Sequence, residues 1–286
     1  MTESVVYVST GTGRHIDEMW FSIRSATAGV DAADRPWRIV VYTDDPSPFR
    51  ELPVHVEHLT DGRVAEWLGG RDYLYRIKIK ALQSELVRPG TDRAVLVDGD
   101  TYFKRPPEGL LRRIRPGTSV MHALEGWPFD DEAAALSARI AAMPRSAQDE
   151  IGSYVGPRRV SWNAGVVGLD ALDVGLLDDV LRVSDLLVDS GFDADFHTAE
   201  QIAFATVLNR ATRVREARDW VEHYWHGAVR DPFDAELARA RLLPGDEAEQ
   251  RRRFEELWER RPTQGRTYWG RMTYLRSRLS RWGIRR

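Results

Sequence analysis

Two aspartates lie directly after a short apolar run in Ala94-Val-Leu-Val-Asp98-Gly99-Asp100. In open α/β sheets, ligands collect at the carboxyl ends of strands. A glycine between the acids lets the backbone turn sharply, so both carboxylates can converge on one cation. Carboxylate oxygens suit Mg²⁺ or Mn²⁺, and such an ion can bridge a diphosphate. The competing interpretation is an ordinary acidic turn that closes a strand.

Three further segments carry polar side chains in suggestive spacing. Arg76, Lys80 and Gln83 follow i, i+4, i+7 and share one helix face, which is either a cationic row beside a phosphate or a solvated basic surface. Asn163 precedes Ala164 and Gly165, and small residues let a ligand approach the backbone while an amide contacts hydroxyl groups. Its alternative is a turn asparagine.

The segment Thr198-Ala-Glu200-Gln201 supports two interpretations. Its spacing fits a helix capping box, in which the Gln201 side chain reaches back to the backbone amide of Thr198. The negative charge of Glu200 would then only interact favourably with the helix dipole. The other interpretation makes Glu200 and Gln201 part of a ligand site.

The elements that must position these residues alternate between apolar runs and segments of helical character. Strands are predicted near Val5–Val8, Arg38–Tyr42 and Ala94–Val97, with helices near Arg14–Ala28 and Tyr73–Val87 between them. This alternation predicts an α/β fold with a parallel sheet and crossover helices. Further expected elements are strands at Val54–Leu59, Gly117–Leu124 and Val160–Leu169, an insertion around Trp127 to Arg145, and helices at Ala171–Val188 and Thr198–Leu208.

Composition narrows the chemistry. The chain has 286 residues, 42% of them hydrophobic, which is enough for one large α/β domain. Cysteine is absent, so disulfides, thiolate metal sites and cysteine nucleophiles are excluded. No basic leader followed by an apolar run and no stretch of ~20 apolar residues is present, which predicts a cytoplasmic protein.

The C-terminal part differs from the rest of the chain. A break near Asp231–Gly245 predicts a domain over residues 1–230 and a helical extension over residues 231–286. The last 21 residues carry seven arginines and no acid. From Tyr268 to Trp282 apolar residues form a helical stripe, so this tail either packs on the domain or contacts the inner face of a membrane peripherally. An acidic body without a recognisable module argues against nucleic-acid binding.

Taken in order, these segments resemble the nucleotide-diphospho-sugar transferases of the GT-A fold, a Rossmann-like α/β fold. The resemblance extends over about four fifths of the chain and is greatest to the retaining group that includes glycogenin and bacterial lipopolysaccharide galactosyltransferases. It rests on Tyr7–Gly11, Arg76–Lys80, Asp98–Asp100, Trp162–Gly165, Glu200–Gln201 and His223–Gly227. This resemblance implies a metal-dependent glycosyltransferase that retains the anomeric configuration of the donor sugar.

The resemblance also implies roles for individual residues. Thr10, Gly11 and Asp44 would hold the nucleotide base and ribose, and Arg76, Lys80, Asn163 and Gln201 would contact the donor, which is favoured to be a UDP-sugar. Catalysis would fall to Glu200, near the anomeric carbon, and to Asp100. Asp98, Asp100 and a histidine, His226 in preference to His223, would bind Mn²⁺ or Mg²⁺. The acceptor would be a carbohydrate, a lipid-linked molecule or a small molecule.

The sequence departs from this family pattern at two places. Where the family has Asp-Gln-Asp, this chain has Glu200-Gln201-Ile202, which lacks the final acid. The lysine that commonly follows the histidine motif is absent, with Arg230 as its nearest substitute. Two alternatives to a glycosyltransferase therefore stay open: a sugar-phosphate nucleotidyltransferase, and a non-catalytic nucleotide-sugar-binding protein of the same fold.

Overall fold

The structure is a computed structural model that describes residues 2–28, 35–126, 130–154, 161–194, 197–242 and 247–263. Its strands are β1 Thr2–Ser9, β2 Trp37–Thr43, β3 His55–His58, β4 Thr91–Val97, β5 Thr101–Phe103, β6 Val120–Gly126, β7 Ser161–Asp170, β8 Arg215–Glu216 and β9 Val221–His223. Its helices are α1 Arg14–Thr27, α2 Asp61–Leu68, α3 Arg76–Leu86, α4 Pro107–Leu111, α5 Asp130–Ala142, α6 Arg145–Tyr154, α7 Leu176–Asp189, α8 Ala199–Ala211, α9 Gly227–Leu242 and α10 Glu247–Arg260.

Seven strands form the central sheet in the order β3-β2-β1-β4-β7-β6-β8. Strands β1 to β4 pair in parallel, as the alternation of strands and helices predicts. Strand β7 runs antiparallel to both β4 and β6, a direction that the predicted parallel sheet did not include. The predicted α/β class, with helices covering a mostly parallel sheet, is confirmed by this arrangement.

Side chains of the central strands alternate between two hydrophobic layers because successive residues of a strand point to opposite faces. In β1, Val6 packs in the layer with helices α3, α7 and α8, whereas Val5 and Tyr7 pack in the layer with α1, α4 and α9. All three side chains are fully buried. The sheet is therefore covered on both faces, which explains the nearly continuous apolar runs of its strands.

The helices after residue 226 pack onto the second layer. Phe233 and Leu237 of α9 and Leu257 of α10 belong to the same hydrophobic cluster as Phe21 of α1. The rings of Phe21 and Phe233 meet edge to face with centroids 5.1 Å apart. The C-terminal tail around Tyr268–Trp282, for which we predict an amphipathic helix, lies outside the described residues. No helix in the described ranges combines the length and apolarity needed to cross a bilayer.

Two strands outside the central sheet bring distant parts of the chain together. Strand β5 follows the Asp98-Gly-Asp100 turn directly and pairs antiparallel with β9, in a register that sets Thr101 opposite His223. The backbone N–H of Tyr224 donates to the carbonyl of Asp100 at 3.0 Å. This pairing was not predicted, because strands of three residues leave no periodic pattern to detect.

Candidate active site at the carboxyl edge of the sheet

Asp98 and Asp100 lie at the carboxyl end of β4, as predicted. The Asp98 backbone N–H donates to the Gly165 carbonyl at 2.9 Å, so the turn is fixed to β7. Because β7 runs antiparallel, its early residues lie at the same edge as the end of β4. Asn163 is thereby brought beside the two aspartates, although it precedes rather than follows most of its strand.

The third member of the cluster is His223. Asp98, Asp100 and His223 each present one ligand atom, and these atoms lie within 4.8 Å of one another. His223 and Asp100 are both buried, and His223 Nε2 lies 3.2 Å from Asp100 Oδ1. Two carboxylate oxygens and one imidazole nitrogen form a donor set suited to a divalent cation.

The structure differs here from our preference for His226. The β5–β9 pairing turns His223 inward, whereas His226 is exposed and its Nδ1 accepts from the backbone N–H of Ala228 at 3.3 Å, at the start of α9. His226 is outside the group of residues that meet at the aspartates. Sequence spacing alone could not separate the two histidines, because the choice depends on a strand pairing between residues more than 100 positions apart.

The orientation of the His223 ring is set by its neighbours. Its Nδ1 lies 2.8 Å from Asn163 Oδ1, an acceptor, so Nδ1 carries a hydrogen and Nε2 faces Asp100. The ring packs over Gly165, where any Cβ atom would overlap Nδ1 and its neighbouring carbons. In metal-ligating histidines the ring nitrogen that does not bind the metal usually donates to an acceptor, as His223 Nδ1 does to Asn163. The residues present therefore fit a bound cation.

Charge couples Asp100 to His223. Burial would raise the pKa of the Asp100 carboxyl, but the facing His223, Arg230 and Lys78 lower it below its usual range. Burial would lower the pKa of His223, and the Asp100 carboxylate raises it instead. Both shifts favour an ion pair between the two groups, so a divalent ion would have to displace the proton from Nε2.

Two cationic side chains also contact the aspartates. Lys78 Nζ lies 2.7 Å from Asp98 Oδ1 and 3.3 Å from Glu200 Oε1. Burial would lower the pKa of Lys78, but the carboxylates of Asp98 and Glu200 raise it, so the lysine is charged. Arg230 Nη1 lies 3.0 Å from Asp100 Oδ2. Lys78 and Arg230 thus offset about half of the negative charge of four buried or half-buried carboxylates: Asp98, Asp100, Glu200 and Glu18, the last of which Arg230 binds through two nitrogens.

Glu200 lies at the first turn of α8, and its side chain faces the site. Its Oε2 accepts from the Tyr73 hydroxyl at 3.0 Å, and its backbone N–H donates to the same hydroxyl oxygen at 3.0 Å. Burial and the Glu200 charge both raise the pKa of Tyr73, so the phenol stays protonated as a donor. Glu200 is therefore held 4% exposed between a phenol and an ammonium group.

The capping-box interpretation of this segment is not what the structure adopts. Thr198 occupies the N-cap position of α8 without a side-chain capping hydrogen bond. The Gln201 side chain turns away from the helix start: its Oε1 accepts from the Ala164 backbone N–H at 3.2 Å and its Nε2 donates to Glu125 Oε2 at 3.2 Å. Gln201 consequently joins α8 to the Asn163–Gly165 segment.

The predicted cationic row on α3 lies elsewhere. Arg76 pairs with Asp185 of α7, with Nε 2.8 Å from Oδ1, and also donates to the Trp67 carbonyl. Lys80 Nζ donates to Gln83 Oε1 at 2.7 Å, and Gln83 in turn donates to Asp178 at 2.7 Å. These side chains join α3 to α7 instead of facing the aspartates, because the i, i+4, i+7 face that contains them packs towards that helix.

Lys78 was missed as a site residue although the sequence carries a signal for it. Lys78, Leu82 and Glu85 have the i, i+4, i+7 spacing of one helix face, and all three are buried. A lysine on an apolar helix face requires a carboxylate partner, since an unpaired buried ammonium is costly. This requirement predicts that Lys78, in preference to Lys80, contacts the carboxylates of the site.

At the other end of the sheet edge lie Thr10, Gly11 and Asp44, the residues expected to hold the nucleoside, and two of them, Gly11 and Asp44, are in contact. Gly11 follows β1 with a left-handed backbone (φ 74°), and its N–H donates to Asp44 Oδ2 at 2.7 Å. Asp44 Oδ1 and the buried Ser9 Oγ have no hydrogen-bond partner among the described residues. Buried oxygens without partners are uncommon in folded proteins and indicate groups that a ligand can satisfy.

Comparison with known proteins finds similar solved structures but no family. No family model matches the chain, and no curated protein matches it. Among 207 matching chains of solved structures is mouse xyloside xylosyltransferase 1 in its apo form, with 12% sequence identity and a TM-score of 0.49. The match covers 76% of this chain and 85% of the mouse chain. At this identity and score the likeness gives no information about the chemistry of this chain. That information has to come from the site itself.

Proposed function

We propose that the protein is a glycosyltransferase that transfers a sugar from a nucleotide-diphospho-sugar to an acceptor, with Mn²⁺ or Mg²⁺ held by Asp98, Asp100 and His223. The observation that carries this proposal is the meeting of these three side chains at the carboxyl edge of a GT-A-type sheet. When bound, the cation would neutralise negative charge on the diphosphate and on the departing nucleotide.

The side chains around the cluster supply the remaining requirements of such a reaction. Lys78 adds a positive charge between Asp98 and Glu200. Glu200, held by Tyr73, offers a buried carboxylate that would stabilise positive charge developing at the anomeric carbon. Asp44 Oδ1 and Ser9 Oγ offer acceptor and hydroxyl groups to the nucleoside. Asn163 and Gln201 serve mainly by holding His223 and the β7 backbone.

Finer features belong to the same proposal. The family resemblance supports a UDP-sugar donor, retention of configuration and a carbohydrate, lipid-linked or small-molecule acceptor, and it supports kinship with the glycogenin and galactosyltransferase group. A cytoplasmic protein whose arginine-rich tail contacts the inner membrane face is consistent with the seven arginines after residue 265. Retention would appear as product with the anomeric configuration of the donor, measured by NMR.

The test is incubation of the full chain with a panel of nucleoside diphosphate sugars and MnCl₂, following the nucleotide product. We expect one donor to release free nucleoside diphosphate, with turnover lowered at least about 100-fold in D100A. The matched control is D149A, which removes an exposed aspartate of α6. Release of pyrophosphate from a nucleoside triphosphate and a sugar phosphate would instead identify a nucleotidyltransferase.

A specific observation favours a second candidate, a nucleotide-sugar-binding protein without turnover. Ile202 stands where the family has its third acid, and it packs in the hydrophobic core. Both aspartates also contact cationic side chains of the protein. Nucleotide binding in a thermal-shift screen, combined with no donor cleavage by any sugar nucleotide in the presence of Mn²⁺, would select this candidate.

A further inference from the structure

Glu125 lies at the end of β6 and contacts two amide side chains of the site at once. Its Oε1 accepts from Asn163 Nδ2 at 3.0 Å, and its Oε2 accepts from Gln201 Nε2 at 3.2 Å. Neither the apolar pattern of the strand nor the motifs of the site single out this residue. An ionised carboxylate only accepts hydrogen bonds, so each amide must direct its NH₂ group towards Glu125.

The oxygens of both amides consequently face the opposite side. Asn163 Oδ1 accepts from the Gly165 backbone N–H at 3.0 Å and from His223 Nδ1 at 2.8 Å. Gln201 Oε1 accepts from the Ala164 backbone N–H at 3.2 Å. One carboxylate therefore fixes the direction of two amides, and these amides hold consecutive backbone N–H groups of β7.

The consequence reaches the proposed metal ligand. With Asn163 Oδ1 as acceptor, His223 Nδ1 must be the protonated ring nitrogen, which leaves Nε2 for the position beside Asp100. If the Asn163 amide turned over, its NH₂ group would face His223 Nδ1 and the Gly165 N–H, both of which donate. The ring would then lose the bond that directs Nε2 to the aspartates.

We propose that Glu125 is a positioning residue for the metal site: through Asn163 it fixes the tautomer and the orientation in which His223 presents Nε2 to the cation. This inference rests on the proposed function, because it concerns the same cation. Groups that hydrogen-bond a metal ligand directly, as Asn163 does here, typically change metal affinity 10- to 100-fold when they are removed, and Glu125 acts one residue further out, so the lower end of this range is expected.

The experiment measures the Kd of Mn²⁺ for the full-length protein by electron paramagnetic resonance of free Mn²⁺, with melting temperatures in EDTA as the check on folding. E125D keeps the charge but shortens the side chain by one methylene group. E125Q keeps the length but places an NH₂ group against one of the two amides. We expect each variant to bind Mn²⁺ about tenfold more weakly than the wild type.

A compensating pair sharpens the test. In the E125Q/N163D double variant, the new amide at position 125 can donate to the new carboxylate at position 163 and still accept from Gln201. The carboxylate can also accept from Gly165 N–H and His223 Nδ1, and the net charge equals that of the wild type. We expect Mn²⁺ affinity to return to within about threefold of the wild-type value.

The control is E216Q, which neutralises a carboxylate of neighbouring β8 whose Oε1 accepts from the Leu124 backbone N–H instead of from an amide of the site. Wild-type Kd values in both E125D and E125Q would overturn the inference, as would a double variant that stays as weak as E125Q. If the wild type itself binds no Mn²⁺, the metal site of the proposed function fails and this inference fails with it. If the wild type binds Mn²⁺ and both Glu125 variants bind it with the same Kd, only the proposed role of Glu125 is overturned.

Discussion

Asp44 contacts Gly11 through one hydrogen bond at a half-exposed turn, whereas His223 contacts Asp100 from a buried, paired strand, where the Asn163 amide also holds its ring. We call Thr10, Gly11 and Asp44 the loop end of the site, and Asp98, Asp100 and His223 the metal end. The loop end consists of turns that follow adjacent parallel strands. The metal end needs four separate segments, from β4, β7, β6 and β9, to pack together.

This difference determines what a ligand must displace in order to bind at each end. At the loop end, two buried oxygens have no partner among the described residues, so a ligand can add hydrogen bonds without displacing any. At the metal end nearly every polar atom already has a protein partner, and a cation must compete with Lys78, Arg230 and a proton on His223. These contacts support our proposal that the loop end binds the nucleoside and that the metal end binds a cation in exchange for the positive groups that now contact the aspartates.

The largest effect that separates the two histidines should come from H223A. We expect H223A to weaken Mn²⁺ binding about 100-fold, because it removes a buried nitrogen ligand and leaves Asp100 without its main partner. The matched variant H226A should bind Mn²⁺ within about twofold of the wild type, since that side chain is exposed at the start of α9. Isothermal titration of both variants with MnCl₂ measures the difference. Equal losses, or a larger loss in H226A, would contradict the assignment.

The next effect concerns the packing of His223 on Gly165. A Cβ atom at position 165 would overlap the imidazole, so G165A must displace the ring from the aspartates. We expect about tenfold weaker Mn²⁺ binding and a loss of roughly 1–3 kcal/mol in the free energy of unfolding, as for other overpacked cores. Urea unfolding and Mn²⁺ titration provide the two numbers. G62A, at a helical position where a Cβ atom meets nothing within 4 Å, should leave Mn²⁺ binding unchanged and should not lower the free energy of unfolding.

The smallest effect should arise at the loop end. D44N keeps the size of the side chain and removes its charge, so we expect about fivefold weaker binding of a nucleoside diphosphate, or about 1 kcal/mol, the net scale of one ordinary hydrogen bond. Mn²⁺ affinity in the absence of nucleotide should stay at the wild-type value, because Asp44 is not part of the metal cluster. Fluorescence titration with UDP and with MnCl₂ separately tests this. A variant that lost Mn²⁺ affinity and retained nucleotide affinity would reverse the roles of the two ends.

The same comparison shows what the sequence could predict. Strands β1, β2 and β4 contain apolar runs of four or more residues and follow one another around a parallel sheet, so the meeting of Gly11, Asp44 and Asp98 at one edge could be anticipated. Helix α3 was also predicted, but Arg76 and Lys80, the side chains expected to contact the donor, lie on the face that packs towards α7. The buried face with Lys78 faces the site instead.

Other features depend on contacts between distant segments. The antiparallel direction of β7 places Asn163 beside Asp98, and no local pattern distinguishes a buried parallel strand from a buried antiparallel one. Strands β5 and β9 have three residues each, yet their pairing decides between His223 and His226. Glu125 gains its role only from two amides that lie 38 and 76 positions further along the chain.

We propose that Asp98, Asp100 and His223 together bind a divalent cation that carries the nucleotide phosphates. The most direct measurement is anomalous diffraction at the manganese edge from crystals of the wild type grown with MnCl₂ and UDP. Our account predicts one strong peak within bonding distance of both aspartates, His223 Nε2 and the diphosphate oxygens. A nucleotide bound without such a peak, with Lys78 and Arg230 still paired to the aspartates, would contradict it.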